Sequence, residues 1–138
     1  MALKFISAEE AATLIKHGDN VGFSGFTHAG CPKVVPGEIA KRAEAEHAKG
    51  NPFKIGVFTG ASTGDLLDGM LTRAKAIKFR TPYQTNKDTR QAINNNEFDY
   101  FDIHLSHTAQ EIRYGFLGKI NAAVVLPKIG RASCRERV

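Results

Sequence analysis

The chain is expected to fold as an α/β domain built on an open, mainly parallel sheet with flanking helices. Three observations predict this. Short apolar or alternating runs recur along the sequence, with segments of helical period between them. Strands alternating with helices at this spacing form right-handed βαβ units, which pair their strands in parallel. Four of the five runs also lead directly into small hydroxyl, glycine or amide residues, the usual chemistry of a strand-to-helix turn.

The first helix starts at Ser7, which with Glu10 forms a capping box, and Ala8, Ala11, Ala12, Leu14 and Ile15 give it one apolar face that ends at Gly18. Val21 to Ser24 is a short apolar strand, followed by the loop GFTHAGCPK. Pro36 suits a first helical position, Ile39, Ala40 and Ala43 repeat at helical spacing, and Gly50-Asn51-Pro52 closes that second helix. Lys54 to Phe58 alternates as a strand and enters TGASTG, then the short helical stretch DLLDGML. Ile77 to Arg80 is a third strand, followed by TPYQTN and a polar helix around Asp88 to Asn94. Tyr100 to Leu105 reads as a fourth strand, after which Ser106 or Thr108 caps a helix, with Glu111 completing a Thr-x-x-Glu box. Asn121 to Leu126 is the fifth strand.

A chain of 138 residues with 42% hydrophobic and 24% charged residues is a single globular domain or part of one, large enough to bury a core without metal or disulfide. No window approaches a membrane span, and MALKFISAEEAATL turns acidic too early for a signal peptide. The final ten residues, IGRASCRERV, resemble the in-frame translation of a sequencing-library adapter and carry no turn, cap or periodicity. They are set aside as non-native, leaving residues 1 to 128 as part of a domain whose natural reading frame is expected to run on past Lys128. Re-sequencing the locus and finding a genuine stop codon after Val138 would refute this. Of the net charge of +5, the tail supplies +2, and the remainder is spread without a like-charge run beyond Lys41-Arg42. That leaves no footprint for nucleic acid. Cys134 falls in the tail, so Cys31 stands alone, which fits a reducing, cytoplasmic setting.

The loops SGFT, TGAST, TPYQT and SHT follow four successive strands and should gather at the carboxyl edge of a parallel sheet, where such sheets bind ligands. Their hydroxyls and backbone N–H groups suit an oxygen anion: a carboxylate, a phosphate or an oxyanion. Turn and cap chemistry alone accounts for any one of these loops; four together point to a site. Gly60 and Gly64 lack the Lys-Ser/Thr ending of a nucleotide P-loop, and no G-x-G-x-x-G occurs. His28 and Cys31 share a loop but are too few for a metal site. His17 and His47 fall near helix ends, where they complement the dipole.

Gly60-Ala61-Ser62-Thr63-Gly64 matches the G-x-S-x-G nucleophile elbow, with Asp102, His104 and His107 downstream. A serine esterase using Ser62 is therefore an alternative. Against it, three α/β repeats leave little room for a full hydrolase sheet, and Asp102 and His104 share a face of one predicted strand.

Four ordered segments, VGFSGFTHAGCPKVVP, TGASTGDLLDGML, FRTPYQTNKDTR and FDIHLSHTAQ, resemble the N-terminal domain of the acetyl-CoA hydrolase/transferase family, the class I CoA-transferases, over residues 5 to 128. The resemblance implies an enzyme of two similar α/β halves, several times longer than this chain, that moves CoA between a short acyl-CoA such as acetyl or succinyl and a small carboxylic acid. Its nucleophile would be a glutamate of the missing C-terminal domain, passing through an acyl-glutamyl anhydride and a glutamyl-CoA thioester.

No catalytic residue would then lie in this chain. On the matching positions Ser62 and Thr85 would hold the acyl or carboxylate group. The loop of Ser24, Gly25, Phe26 and Thr27 would lie beside them and present backbone N–H groups. Relatives often carry an aromatic residue where Cys31 stands, which bears on pocket shape and acyl preference. The resemblance implies coenzyme A as substrate and no cofactor or metal, leaves a homodimer open, and gives neither nucleic acid nor membrane as partner. The remaining alternative is a non-enzymatic carboxylate-binding module, which a stop codon in the intact gene would support.

Overall fold

A computed structural model describes residues 4–126; the ten residues read as adapter-derived lie outside them. The chain runs α1 (Ala8–Thr13), β1 (Asn20–Thr27), α2 (Val35–Ala48), β2 (Ile55–Ser62), a π-helical turn (Asp65–Gly69) continuing into α3 (Met70–Arg73), β3 (Ile77–Thr81), α4 (Lys87–Asn94), β4 (Asp99–Tyr100), α5 (Leu105–Tyr114) and β5 (Ala122–Val124). The capping box forms as expected, with the Glu10 amide donating to Ser7 Oγ at 3.0 Å and the Ser7 amide to Glu10 Oε2 at 2.9 Å.

The five strands form one sheet in the order β4-β3-β2-β1-β5, and every pairing is parallel. The chain steps in one direction from β1 to β4 and then returns to the far side of β1. Right-handed crossovers therefore place α2, α3 and α4 on one face and α5 on the other. The first face holds the core: Val21 and Phe23 of β1, Ile55 and Val57 of β2, Ile77 of β3, with Ile39, Leu67 and Leu71 beneath them, all buried. On the other face α5 lies over Gly22, Ser24, Phe58 and Gly60.

Four expectations are corrected. β2 does not stop at Phe58 but continues through Thr59, Gly60, Ala61 and Ser62. As the central strand it has a partner on each side, and ladder bonds outweigh the weak strand propensity of Gly, Ala and Ser. β1 likewise extends to Thr27, because its register shifts between Phe23 and Phe26 and then re-pairs Phe26 with Ala61 and Thr27 with Ser62. The fourth strand contracts to Asp99–Tyr100, paired only with Phe79 and Arg80 at the sheet edge. His104 then caps α5, its Nδ1 accepting the Ser106 amide at 3.3 Å, so neither Ser106 nor Thr108 is the cap. The SHT segment is thus the first turns of a helix and not a strand-end loop, and Asp102 and His104 do not share a strand.

Candidate functional site at the carboxyl edge of the sheet

The ends of β1, β2 and β3 bring three of the sequence-derived positions together. Thr27 pairs with Ser62 in the ladder, and the Thr63 amide donates to the Thr27 carbonyl at 3.3 Å. From the loop after β3, the Thr85 amide donates to Thr63 Oγ1 at 2.9 Å, and the two threonine hydroxyls lie 3.3 Å apart. Thr63 and Thr85 therefore form one hydroxyl pair, and Ser62 is tied to the same loop through its backbone, its carbonyl and that of Tyr83 both accepting from Arg80. Ser62 is fully buried, and its Oγ has no hydrogen-bond partner among the described residues. Gln84 Oε1, one residue before Thr85, is likewise buried without a partner. Such atoms are uncommon in folded proteins.

Beneath the cluster lies an ion pair that sequence reasoning missed. Arg80 of β3 and Asp68 of the π-helical turn both have side chains with no exposure, joined by Nε to Oδ1 at 2.8 Å and Nη2 to Oδ2 at 3.3 Å. Arg80 Nη1 also donates to Thr59 Oγ1 at 2.9 Å and the Thr81 carbonyl at 2.7 Å, and Nη2 to the carbonyls of Ser62 at 3.1 Å and Tyr83 at 2.7 Å. One guanidinium thus ties the end of β2, the π-helical turn and the loop after β3. Asp68 Oδ2 in turn accepts from Thr63 Oγ1 at 2.7 Å and the Gly64 amide at 3.2 Å. The π-helical turn supports this geometry: the amides of Asp68 and Gly69 both reach the Gly64 carbonyl, at 2.8 and 3.3 Å. The available sequence signal was a charged residue inside a strand, Arg80, downstream of an acidic residue in an apolar helical turn, Asp68.

The loop after β3 is braced from the sheet edge as well. Tyr100 Oη donates to the Pro82 carbonyl at 2.7 Å, and Thr81 Oγ1 to that of Phe101 at 2.8 Å. Burial, and then the charge of Asp102, push the Tyr100 phenol above its ordinary pKa.

The SGFT loop plays a different part. Ser24 Oγ donates to the Gly30 carbonyl at 3.0 Å and accepts from the Leu126 amide at 2.9 Å, so its hydroxyl holds the loop together. Gly25 sits at φ +125°, and a Cβ there would stand 2.7 Å from the Cys31 amide nitrogen, so only glycine lets the loop fold back. The Phe26 amide is spent on the Ala29 carbonyl at 2.7 Å, so it is not a donor to a ligand. The exposed Phe26 side chain and Thr27 reach the rim. Between this loop and the one after β2 lies a cleft of about 280 Å³, walled by His28, Cys31, Lys33, Thr63 and Gly64. Cys31 is buried and free, and bounds this space where a larger side chain would fill it.

The serine-triad geometry is not assembled. Ser62 Oγ bonds no histidine, while His104 and His107 are exposed on α5 with rings 5.9 Å apart. An elbow serine needs a histidine base within hydrogen-bond reach of its oxygen, and among the described residues Ser62 has none. Among the described residues no group of three or more His, Cys, Asp or Glu could hold a metal ion, and no helix is long and apolar enough to cross a membrane.

The fold and the strand-edge cluster define the class: a parallel α/β domain whose β2 and β3 termini present hydroxyls over a buried Arg–Asp clamp. Residues 2–128 match the model of the acetyl-CoA hydrolase/transferase N-terminal domain. The chain belongs to that family. It is 45% identical over 120 residues to a propanoyl-CoA:succinate CoA transferase of Escherichia coli, covering 87% of this chain and 24% of that protein. It is 42% identical over 122 residues to a succinyl-CoA:acetate CoA-transferase of Clostridium kluyveri, covering 88% and 22%, and 38% identical over 102 residues to an acetyl-CoA hydrolase of Yarrowia lipolytica, covering 73% and 20%. The chain thus spans about a quarter or less of the length of these curated relatives. Among solved structures, RipA from Yersinia pestis shares the fold at a TM-score of 0.59 and 17% identity, over 87% of this chain and 28% of that one.

Proposed function

We propose that this domain is the N-terminal part of a CoA-transferase or acyl-CoA hydrolase that moves CoA between a short acyl-CoA and a carboxylate. The relatives' names support the reaction class, and the Thr63–Thr85 hydroxyl pair beside the unpartnered Ser62 hydroxyl at the carboxyl edge of the sheet carries the assignment to this chain. Ser62 holds a buried hydroxyl with no partner among the described residues, which leaves its proton free for an oxygen acceptor. The attacking carboxylate belongs to a glutamate beyond this chain. It adds to the thioester carbonyl, CoA thiolate leaves, and an acyl-glutamyl anhydride results; CoA then attacks the glutamyl carbonyl and releases the acyl group as carboxylate. Ser62 and Thr85 donate to the oxygen on which charge gathers, each donor being worth about 3 kcal/mol in such a site. Coenzyme A is substrate, and no cofactor is needed for these steps.

Exposed Leu105, Tyr114, Phe116, Val125 and Leu126 offer the kind of apolar surface that the remaining domain would cover. The buried, free Cys31 thiol accords with a cytoplasmic setting. The test is to recover the reading frame that contains this chain and assay exchange of CoA between acetyl-CoA and succinate. Exchange by the complete product, and none by residues 1 to 128 alone, is expected. Turnover by the short segment, or a complete product that neither exchanges CoA nor hydrolyses acetyl-CoA, would overturn the assignment.

A further inference from the structure

We propose that Thr63 is a positioning residue that sets both the place and the proton direction of the Thr85 hydroxyl; this rests on the carboxylate-binding reading above. Thr63 has one hydroxyl proton and two acceptor lone pairs. The proton goes to Asp68 Oδ2 at 2.7 Å, the shortest contact in the cluster, and Asp68 as the partner of Arg80 is an acceptor. Thr63 Oγ1 can therefore only accept in its two remaining contacts, from the Thr85 amide at 2.9 Å and from the Thr85 hydroxyl at 3.3 Å. This polarity runs from Arg80 through Asp68 and Thr63 to Thr85.

Two consequences follow for the site. The Thr85 amide is pinned, so the exposed Thr85 side chain hangs from a fixed backbone instead of a free loop. The Thr85 hydroxyl donates to Thr63 across a bond near the upper limit of useful length. A carboxylate oxygen placed beside it is a better acceptor than a neutral hydroxyl, so the proton turns to the ligand at small cost while the amide bond keeps Thr85 in place. Without the Thr63 hydroxyl, the amide loses its acceptor and the loop its register.

Thr59 supplies the control. Its hydroxyl accepts from Arg80 at 2.9 Å but bonds neither Thr63 nor Thr85. The experiment titrates acetate into the 138-residue chain and follows amide shifts of Ser62 and Thr85 by nuclear magnetic resonance, with thermal midpoints recorded in parallel, for wild type, Thr63→Val, Thr63→Ser and Thr59→Val. Acetate affinity should fall about tenfold in Thr63→Val, and stay within about twofold of wild type in Thr63→Ser and Thr59→Val, even where Thr59→Val unfolds as early as Thr63→Val. Equal affinity in wild type and Thr63→Val, or an equal loss in Thr59→Val, would overturn the proposal. Should Thr63→Val not fold, the wild type decides: contact between the Thr85 hydroxyl proton and Thr63 should vanish on adding acetate, and its persistence would refute the turn. If wild type itself shows no saturable shift, the carboxylate-binding reading fails and takes this inference with it; loss confined to the Thr63 prediction leaves that reading intact.

Discussion

Breaking the Arg80–Asp68 clamp should be among the most damaging single changes to this domain. Both side chains are fully buried, so Arg80→Met leaves the Asp68 carboxylate buried without its counter-ion, a loss of about 3–5 kcal/mol. Arg80 also satisfies the carbonyls of Ser62, Thr81 and Tyr83 and the Thr59 hydroxyl. Asp68→Leu leaves the guanidinium those four neutral acceptors but strands the Thr63 hydroxyl and the Gly64 amide, so its cost falls in the same range.

A domain of this size has about 5–15 kcal/mol in all, and near its midpoint each kcal/mol moves the melting temperature by about 3–5 °C. Arg80→Met should therefore melt roughly 15 °C or more below wild type, or fail to fold. The double variant Asp68→Leu/Arg80→Met removes both charges and should recover part of the loss while staying clearly below wild type, because three carbonyls, the Thr63 hydroxyl and the Gly64 amide lose their partners. Circular dichroism melts of the four proteins, read as a double-mutant cycle, test this. Single variants that each lose under 1 kcal/mol would show that the clamp does not hold the loops, and a double variant as stable as wild type would show that the carbonyls find other partners.

Other outcomes follow from particular contacts. Gly64 lies at φ +143° and ψ 175°, a region nearly closed to other residues, so Gly64→Ala should cost about 1–3 kcal/mol, whereas Gly60→Ala, with nothing within 4 Å of its new Cβ, should be near neutral in urea unfolding. Tyr100 should ionise above the ordinary phenol range in an alkaline difference-absorbance titration, and Tyr100→Phe should delete that step; a raised folded pKa means its stabilisation is complete at neutral pH and is lost only as pH rises through that value. The hydrogen bond from Arg73 holds the Asp65 carboxyl below its ordinary range, so its contribution is present above the unfolded carboxylate pKa and is lost as pH falls through the lower folded one. The pair is solvent-exposed, so Asp65→Asn should remove only about 0.5 kcal/mol at neutral pH and make the acid limb of the stability curve shallower; an unchanged limb would show the pair idle.

The fold was legible because its signals are local. Capping chemistry at Ser7 and Glu10, helical spacing at Ile39, Ala40 and Ala43, and apolar runs at Val21 and Ile77 each required only a few neighbouring residues. The strand ends were not, since β2 runs on to Ser62 through ladder partners on β1 and β3, and such pairing leaves no local mark on Thr-Gly-Ala-Ser. The edge strand β4 failed in the other direction. FDIHL has strand composition, yet one neighbour and a capping His104 turned most of it toward α5.

Within the site, Ser62 and Thr85 were singled out from strand-end chemistry and family resemblance; both lie at the carboxyl edge of the sheet, where Thr85 is bonded to Thr63, the neighbour of Ser62. The clamp was missed because Arg80 and Asp68 are twelve positions apart and their partnership exists only once β3 packs on the π-helical turn. The serine-elbow motif shows the converse: five residues in the right order, with the oxygen buried and no base beside it.

The most direct measurement is the specificity constant for acetyl-CoA in the complete gene product when Ser62→Ala and Thr85→Val are combined. A fall of about 10³-fold or more is expected, two lost donors each being worth a hundredfold or better, with the thermal midpoint little changed. A double variant within a few-fold of wild type would contradict the account, since the acyl oxygen would then be held elsewhere.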